Sequence, residues 1–209
     1  MHRIVNPSIN RWPARWVLTL ALVTLGLAFV PFARSEEPQA PKSIFLVAKR
    51  GMPDPNFREA VVLVTQHAHT GPVGVIINRA TDMLLSSVFP RNDTLQQSKE
   101  SLRFGGPISR AQLTYVFRAP KKPKSAIEVL PEIYMSFDEA KLVDLLARPE
   151  PTKDLRVFSG YAGWSAKQLA AEVARGDWHV IMVDEKAIFN MEPAMVWPAL
   201  IQRVTARSV

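Results

Sequence analysis

The sequence predicts an α+β fold built on a mixed, largely antiparallel sheet. Two observations lead to this class. Short apolar runs outnumber segments with helical periodicity, and neighbouring runs are often joined too briefly for helical crossovers. The sequence has no repeat of roughly 20 to 50 residues, which argues against solenoids and propellers. The length of 209 residues fits a single domain of ordinary size.

The first strands are predicted from apolar runs between turn residues. Ile44–Ala48 precedes the turn cluster Gly51–Asn56, and Ala60–Gln66 and Val73–Asn78 are joined by the polar stretch His67–Gly71. Two such runs with a short polar link are typical of a β-hairpin. Their hydrophobicity is continuous, which predicts that both faces of these strands are covered.

The middle of the chain predicts a short helix, a loop and further strands. Met83–Phe89 can form a helix capped by Thr81 or Asp82 and ended by Pro90, and Arg91–Ser101 is loop-like. Later strands are predicted at Leu102–Phe104, Leu113–Phe117, Ile127–Leu130, Leu155–Phe158 and Trp178–Val183.

Three helices are predicted in the second half. Ser136–Glu139 has the spacing of a capping box and opens a helix through Ala147; Ser165–Gln168 repeats this spacing before a helix that stops at Gly176. The tail from Pro193 is helical by pattern. The positions expected to pack inward are Leu142, Leu145, Leu146, Trp197, Leu200 and Ile201.

The N-terminus has the pattern of a secretory signal. Arg3, Arg11 and Arg15 precede the uncharged run Trp16–Ala33, and small residues follow. We expect residues 1–35 to be a signal peptide cleaved after about residue 35. Export places the protein in the periplasm or cell envelope.

A permanent membrane anchor is the alternative. Residues 16–33 fall slightly short of the ~20 that a bilayer-spanning helix needs, yet uncleaved they would anchor the chain in the inner membrane. In both cases residues 36–42 form a linker, and residues 43–209 form a single domain.

Composition excludes several function classes. The chain has no cysteine, which excludes disulfides, thiol nucleophiles and iron–sulfur centres. Residues 1–35 hold four arginines and no acid, so their removal lowers the net charge from +7 to +3. The remaining basic stretch, residues 118–124, contains prolines and is interpreted as a loop. Nucleic-acid binding is therefore not favoured.

No cofactor, metal ligand or catalytic residue is predicted. His67 and His69 are two positions apart, a spacing that can place two metal ligands on one side of an extended chain. No third ligand has a matching spacing, so these histidines are interpreted as two polar turn residues. Residues 71–74 and 104–107 lack the spacing of phosphate and dinucleotide loops. Gly160–Ser165 differs from a nucleophile elbow and is interpreted as a tight strand-to-helix turn, with an anion site as the alternative.

Asn78 and Arg79 are candidate ligand-binding residues. A hydrogen-bonding amide beside a permanent cation at a strand end can bind a carboxylate or phosphate group. Arg79 can equally pair with the nearby Asp82, and the sequence leaves both interpretations open.

Taken in order and spacing, the motifs resemble the YqgE/AlgH family of bacterial proteins, over about Phe45 to Ile201. The motifs are Phe45–Ala48, Asp54–Phe57, Ala60–Leu63, Gly74–Arg79, Phe104–Pro107, Gly160–Trp164 and Gln168-Leu169. The resemblance implies an α+β fold with a small closed, barrel-like or bifurcated sheet surrounded by helices. It attaches no catalytic residue set to that fold, and it implies a role in transcriptional regulation. Ala80 departs from the proline that is common in the family after this Asn-Arg pair.

The predicted function is a non-enzymatic binding or regulatory domain in the cell envelope, with a small anionic ligand or a protein as its partner. The candidate binding residues are Asn78, Arg79, Gly106, Tyr161 and Trp164. Two alternatives stay open. One is a transcriptional regulator in the cytoplasm, which requires that the protein is not exported, because an exported protein cannot reach the chromosome. The other is a hydrolase with His67 as its general base.

Overall fold

The structure is a computed structural model that describes residues 42–67 and 71–206, within one compact unit, Ala40–Val209. The predicted signal or anchor segment and most of the predicted linker lie outside these residues, so their boundaries stay predictions. His67 is described in its backbone alone. In the two described ranges, no helix has the length and apolar character needed to cross a membrane.

The described chain contains ten strands and five helices. The strands are β1 Ser43–Ala48, β2 Val61–His67, β3 Gly71–Ile76, β4 Ala80–Leu84, β5 Ser101–Phe104, β6 Ile108–Arg118, β7 Ile127–Leu130, β8 Ile133–Ser136, β9 Leu155–Gly163 and β10 Trp178–Met182. The helices are α1 Leu85–Val88, α2 Glu139–Leu146, α3 Ala166–Ala174, α4 Glu185–Phe189 and α5 Pro193–Ala206.

One curled, half-barrel sheet carries the fold, with the strand order β10-β1-β2-β3-β9-β6-β8-β7. Strand β5 pairs with β4 and β9, and the β5–β9 pair is the one parallel contact among the described strands. The predicted mixed, largely antiparallel α+β fold is confirmed. The predicted hairpin is also confirmed, because β2 and β3 pair from Val62 with Ile76 to His67 with Gly71.

The sheet forks at β9. Strand β6 occupies one edge of β9 along most of its length. The other edge pairs first with β5, through Phe158 and Ser159, and then with β3, through Ala162 and Gly163. This fork agrees with the bifurcated core that the family resemblance implies.

Helices pack against both faces of the curled sheet. The α4 and α5 side chains pack on one face with β1, β2 and β3, and the α3 side chains Leu169 and Val173 lie over the opposite face. The α2 leucines and α1 pack against β6, β8 and the first half of β9. All six inward-facing positions predicted on α2 and α5 are buried, which confirms the predicted packing of these helices.

Two buried arginines join the first half of β9 to β5. Arg103 and Arg156 are 4% and 7% exposed, and both approach the carboxylate of Glu100, at 3.2 and 3.6 Å. Arg103 also donates to the carbonyl of Ile77, and Arg156 to that of Phe189. Burial lowers the pKa of both guanidinium groups from the usual value. One carboxylate thus serves two desolvated cations.

Two predicted helix caps are wrong. Helix α1 begins at Leu85 without a side-chain cap, because residues 80–84 extend as strand β4 and the Thr81 hydroxyl donates to the carbonyl of Leu102. Helix α2 is capped by Asp138, whose carboxylate accepts from the Lys141 backbone N–H, whereas the Ser136 hydroxyl accepts from the Asp138 N–H. The α3 cap is confirmed, since the Ser165 hydroxyl accepts from the backbone N–H of Gln168.

The predicted tight turn at Gly160–Ser165 is wrong in its first half. Strand β9 continues through Gly163, and the turn is reduced to Trp164 and the cap Ser165. Strand β8 and helix α4 were not predicted, and β6 begins five residues earlier than Leu113.

Candidate functional site

The chain crosses over itself at the middle of β9. Because β5 and β6 lie on opposite edges of β9, the connection between them, Gly105–Pro107, passes directly over the β9 backbone. Gly160 lies beneath this crossing with a φ of +70°.

Glycines make the crossing possible. A Cβ atom on Gly106 would overlap the Tyr161 carbonyl group, and one on Gly105 would overlap the Gly160 oxygen. A Cβ on Gly160 would stand 2.7 Å from the carbonyl oxygens of both Gly106 and Ile108. Gly106, predicted as a binding residue, is therefore placed where backbone must approach backbone.

A cavity of about 530 Å³ opens where β9 leaves the crossing. We call it the aromatic cavity; the residues that line it are Pro72, Val73, Ile108, Gln112, Phe137, Tyr161, Gly163, Trp164 and Ser165. None of these described lining residues carries a charge. The cavity therefore offers apolar walls with a few neutral polar groups, the usual character of a small-molecule site.

Three aromatic side chains shape this cavity. Phe137 and Tyr161 meet edge to face, with ring centroids 5.5 Å apart and an interplanar angle of 80°. Trp164 is buried at the end of β9. The Ser165 hydroxyl faces the α3 backbone as its cap. The predicted pair Tyr161 and Trp164 thus shares one cavity.

A second cavity of about 350 Å³ adjoins the first. Ile108, Gly163 and Trp164 line both. We call the second one the acidic cavity; its other lining residues are Met52, Pro53, Asp54, Phe57, Pro107, Ala162, Gln168, Glu172, Arg175, Asp177 and Trp178.

Glu172 organises the acidic cavity. Its Oε2 accepts hydrogen bonds from the indole Nε1 of Trp164 and of Trp178, both at 2.9 Å, and its Oε1 accepts from the Gln168 amide at 2.9 Å. Phe57 packs against both indoles, with centroid distances of 5.9 and 5.4 Å. A carboxylate is therefore held by neutral donors beside three aromatic rings.

Asp177, by contrast, is neutralised. It accepts from the Lys49 ammonium at 2.7 Å and from the Arg175 guanidinium at 2.8 Å. The hydrogen bond from Lys49, with that from Arg175, holds the pKa of the Asp177 carboxyl below its usual value.

Asn78 and Arg79 lie outside both cavity linings and fasten a loop. Asn78 Oδ1 accepts from the Val61 N–H at 2.8 Å, and Arg79 donates to the carbonyls of Asn56 and Arg58 at 2.6 and 2.9 Å. Partial burial lowers the pKa of the Arg79 guanidinium. The loop that they fasten carries Asp54 and Phe57 into the acidic cavity, so this pair supports a wall of the site. Its ligand-binding role stays a prediction.

The structure also shows lining residues that sequence reasoning missed. Phe137 lies in the stretch interpreted as a capping box, and Glu172 lies four residues after Gln168, on the same face of α3. That spacing was the one signal that could have indicated Glu172. Across residues 42–67 and 71–206, no three His, Asp or Glu side chains gather as metal ligands would.

Comparisons with known proteins agree on one family. A family model described as AlgH-like, DUF179, matches residues 45–208. A UPF0301 protein of Thioalkalivibrio sulfidiphilus is 31% identical over 163 residues, 77% of this chain and 87% of that protein. One from Myxococcus xanthus is 31% identical over 161 residues, covering 75% and 87%.

Solved structures show the same fold. The solution structure of the AlgH protein from Pseudomonas aeruginosa matches with a TM-score of 0.64 and 28% identity, over 80% of this chain and 90% of that one. A crystal structure of a Corynebacterium diphtheriae protein matches with a TM-score of 0.61 and 26% identity, over 80% and 87%.

Proposed function

The chain belongs to the AlgH-like family, and from that premise we propose that its domain is a non-enzymatic binding module that holds a small ligand in the aromatic cavity. One observation carries the proposal: Phe137, Tyr161 and Trp164 line a 530 Å³ cavity whose described walls hold no charged side chain. Such walls retain a ligand by burying its apolar surface, while Gln112 and the Tyr161 hydroxyl can orient it.

The non-enzymatic part of the proposal is supported by the role of Ser165. A serine nucleophile needs a free hydroxyl beside a general base. The Ser165 hydroxyl caps helix α3 by accepting from the backbone N–H of Gln168 at 3.1 Å, and within the described ranges it donates to no side chain that could act as a base. The side chain of His67, the base of the alternative hydrolase hypothesis, lies outside the described residues.

We also propose that the domain works outside the cytoplasm. The support is the sequence of residues 1–35, in which basic residues precede an uncharged apolar run. Cell fractionation with N-terminal sequencing tests this proposal. We expect a periplasmic protein that begins near residue 36, or an inner-membrane protein that retains residues 16–33. A cytosolic protein with an intact N-terminus would contradict export and would favour the transcriptional alternative.

Binding in the aromatic cavity can be tested with indole as an uncharged aromatic probe. In an NMR titration to about 5 mM, which detects millimolar complexes, we expect backbone amide shifts at Tyr161, Gly163 and Trp164. The variant Gly163→Val should abolish these shifts, because a Cβ there points between the Ile108 and Tyr161 side chains, at 3.4 and 3.8 Å, and lies 4.0 Å from the carbonyl oxygen of Pro72.

The matched control is Ala80→Val, which places the same valine side chain on the exposed strand β4. It should bind indole like the unmodified protein. Unchanged cavity amides in the unmodified protein, or equal binding by Gly163→Val, would show that this cavity is not a ligand site.

A further inference from the structure

We propose that the ligand is a small organic cation, whose aromatic or apolar body fills the aromatic cavity while its ammonium group enters the acidic cavity. This inference rests on the proposed function and adds the charge of the ligand to it. It also departs from the small anion that the sequence predicts.

The two cavities are close enough to hold one molecule. They share Ile108, Gly163 and Trp164 as common walls. At the junction Gly163 has no side chain, so space remains between Ile108 and Tyr161 that a larger residue would occupy. Combined volumes of about 530 and 350 Å³ suit a small molecule rather than a folded partner.

The charge of the acidic cavity is unbalanced. Its described lining holds the carboxylates of Asp54, Glu172 and Asp177 against the single guanidinium of Arg175. Arg175 is already paired with Asp177, which also binds Lys49. No Lys or Arg of the described ranges forms a salt bridge with Glu172 or Asp54. Three carboxylates thus face two cations once Lys49 is counted, so a net charge of −1 remains, and within the described ranges Glu172 and Asp54 have no cationic partner.

The surroundings of Glu172 favour an ammonium group in particular. Three neutral donors fix its carboxylate without cancelling its charge. The rings of Phe57, Trp164 and Trp178 line the same space, and aromatic faces attract cations by about 0.5 to 2 kcal/mol. A carboxylate beside aromatic rings favours an ammonium group over an anion.

Three probes that share the indole body test the inference: tryptamine, a cation; tryptophol, its neutral alcohol; and indole-3-acetate, an anion. With the purified full-length protein at low salt, we expect tryptamine to bind about tenfold more tightly than tryptophol, as one nearby carboxylate can provide. Indole-3-acetate should bind most weakly. Calorimetry measures the affinities, and NMR shifts locate the complexes.

Glu172→Gln keeps the hydrogen-bond acceptor for the indoles and removes the charge. It should reduce the preference for tryptamine to about twofold or less while leaving tryptophol binding unchanged. Asp54→Asn, on the exposed loop, should reduce the preference less, and it provides the same test if Glu172→Gln folds poorly. Glu150→Gln, an exposed carboxylate outside both cavities, should change nothing.

The outcomes separate the two proposals. Equal binding of tryptamine and tryptophol at Tyr161 and Gly163 would overturn the cationic ligand and leave the aromatic cavity as a binding site. A preference that survives both Glu172→Gln and Asp54→Asn would also overturn it. If none of the three probes shifts these amides, both proposals fail.

Discussion

The two halves of β9, a strand at the centre of the sheet, are packed in opposite ways. In the first half, Leu155–Phe158, side chains are large and buried, and Arg156 shares the Glu100 carboxylate with Arg103. In the second half, Gly160–Gly163, two of four residues are glycines, and cavities open beside them. The first half closes the core, and the second leaves space.

The first half of β9 therefore contributes mainly to stability, and the second half mainly to ligand binding. Buried charge pairs and packed side chains leave no room for a ligand, and their loss mainly changes the free energy of unfolding. The crossing at Gly160 brings backbone against backbone, so side chains from β6, α3 and the loop before β2 surround empty space at its flank. Variants in the two halves should therefore have different signatures.

The largest effect is expected at the crossing itself. Gly106→Ala should destabilise the protein by about 3 to 5 kcal/mol, because the added methyl group overlaps the Tyr161 carbonyl and neither backbone can move freely. Urea unfolding measures the change. Gly51→Ala is the control: its φ is +69°, but nothing lies within 4 Å of the added atom. Its cost should stay near 1 kcal/mol, and an equal cost for both variants would contradict the steric role of Gly106.

A smaller effect is expected at the buried arginines. Glu100→Gln leaves Arg103 and Arg156 without the carboxylate that they share and should cost about 2 to 3 kcal/mol, since Glu100 is partly exposed. Binding of indole to the folded protein should be unchanged, once the unfolded fraction of the variant is taken into account. Glu150→Gln removes an exposed pair and should change stability by less than about 1 kcal/mol. Comparable values for the two variants would refute the shared-carboxylate role.

The smallest effect concerns pH and the rim of the acidic cavity. The pKa of Asp177 is lowered in the folded protein, so its stabilising contribution is complete above the unfolded carboxyl pKa of about 3.9 and is lost as pH falls through the folded value. Asp177→Asn should therefore lower Tm at neutral pH, and its Tm should converge with that of the unmodified protein as the solution is acidified. Lys49→Met, which removes the partner, should converge similarly. A constant offset at all pH values would assign the effect to packing.

Most of the fold was predictable because it depends on local pattern. The apolar runs at Ile44–Ala48 and Ile127–Leu130 became strands at nearly the same bounds, and the inward-facing leucines of α2 are buried. The cap of α2 was misplaced because both Ser136 and Asp138 can accept from backbone N–H groups, and the choice depends on tertiary contacts such as the bond from the Ser125 hydroxyl to Asp138.

The site was only partly predictable, because its geometry depends on long-range pairing. Tyr161 and Trp164 were predicted and share a cavity. Asn78 and Arg79 instead bond to the backbone of Val61 and Asn56, at the start of β2 and in the loop before it. Gly106 stays a predicted ligand contact, and the sequence does not show that a Cβ at this position would overlap the carbonyl of Tyr161, 55 positions later. Sequence patterns show that glycine is needed, but they do not show which backbone it meets.

The central strand is also among the last to be synthesised. Strands β3, β5 and β6 all pair with β9, which ends at Gly163 of a chain of 209 residues. Until that segment leaves the ribosome or a translocation channel, three strand edges lack their neighbour and remain open to wrong pairing. Chaperones that shield extended, apolar nascent chains should therefore matter for this protein's yield, and termination before β9 should produce an insoluble product rather than a smaller domain.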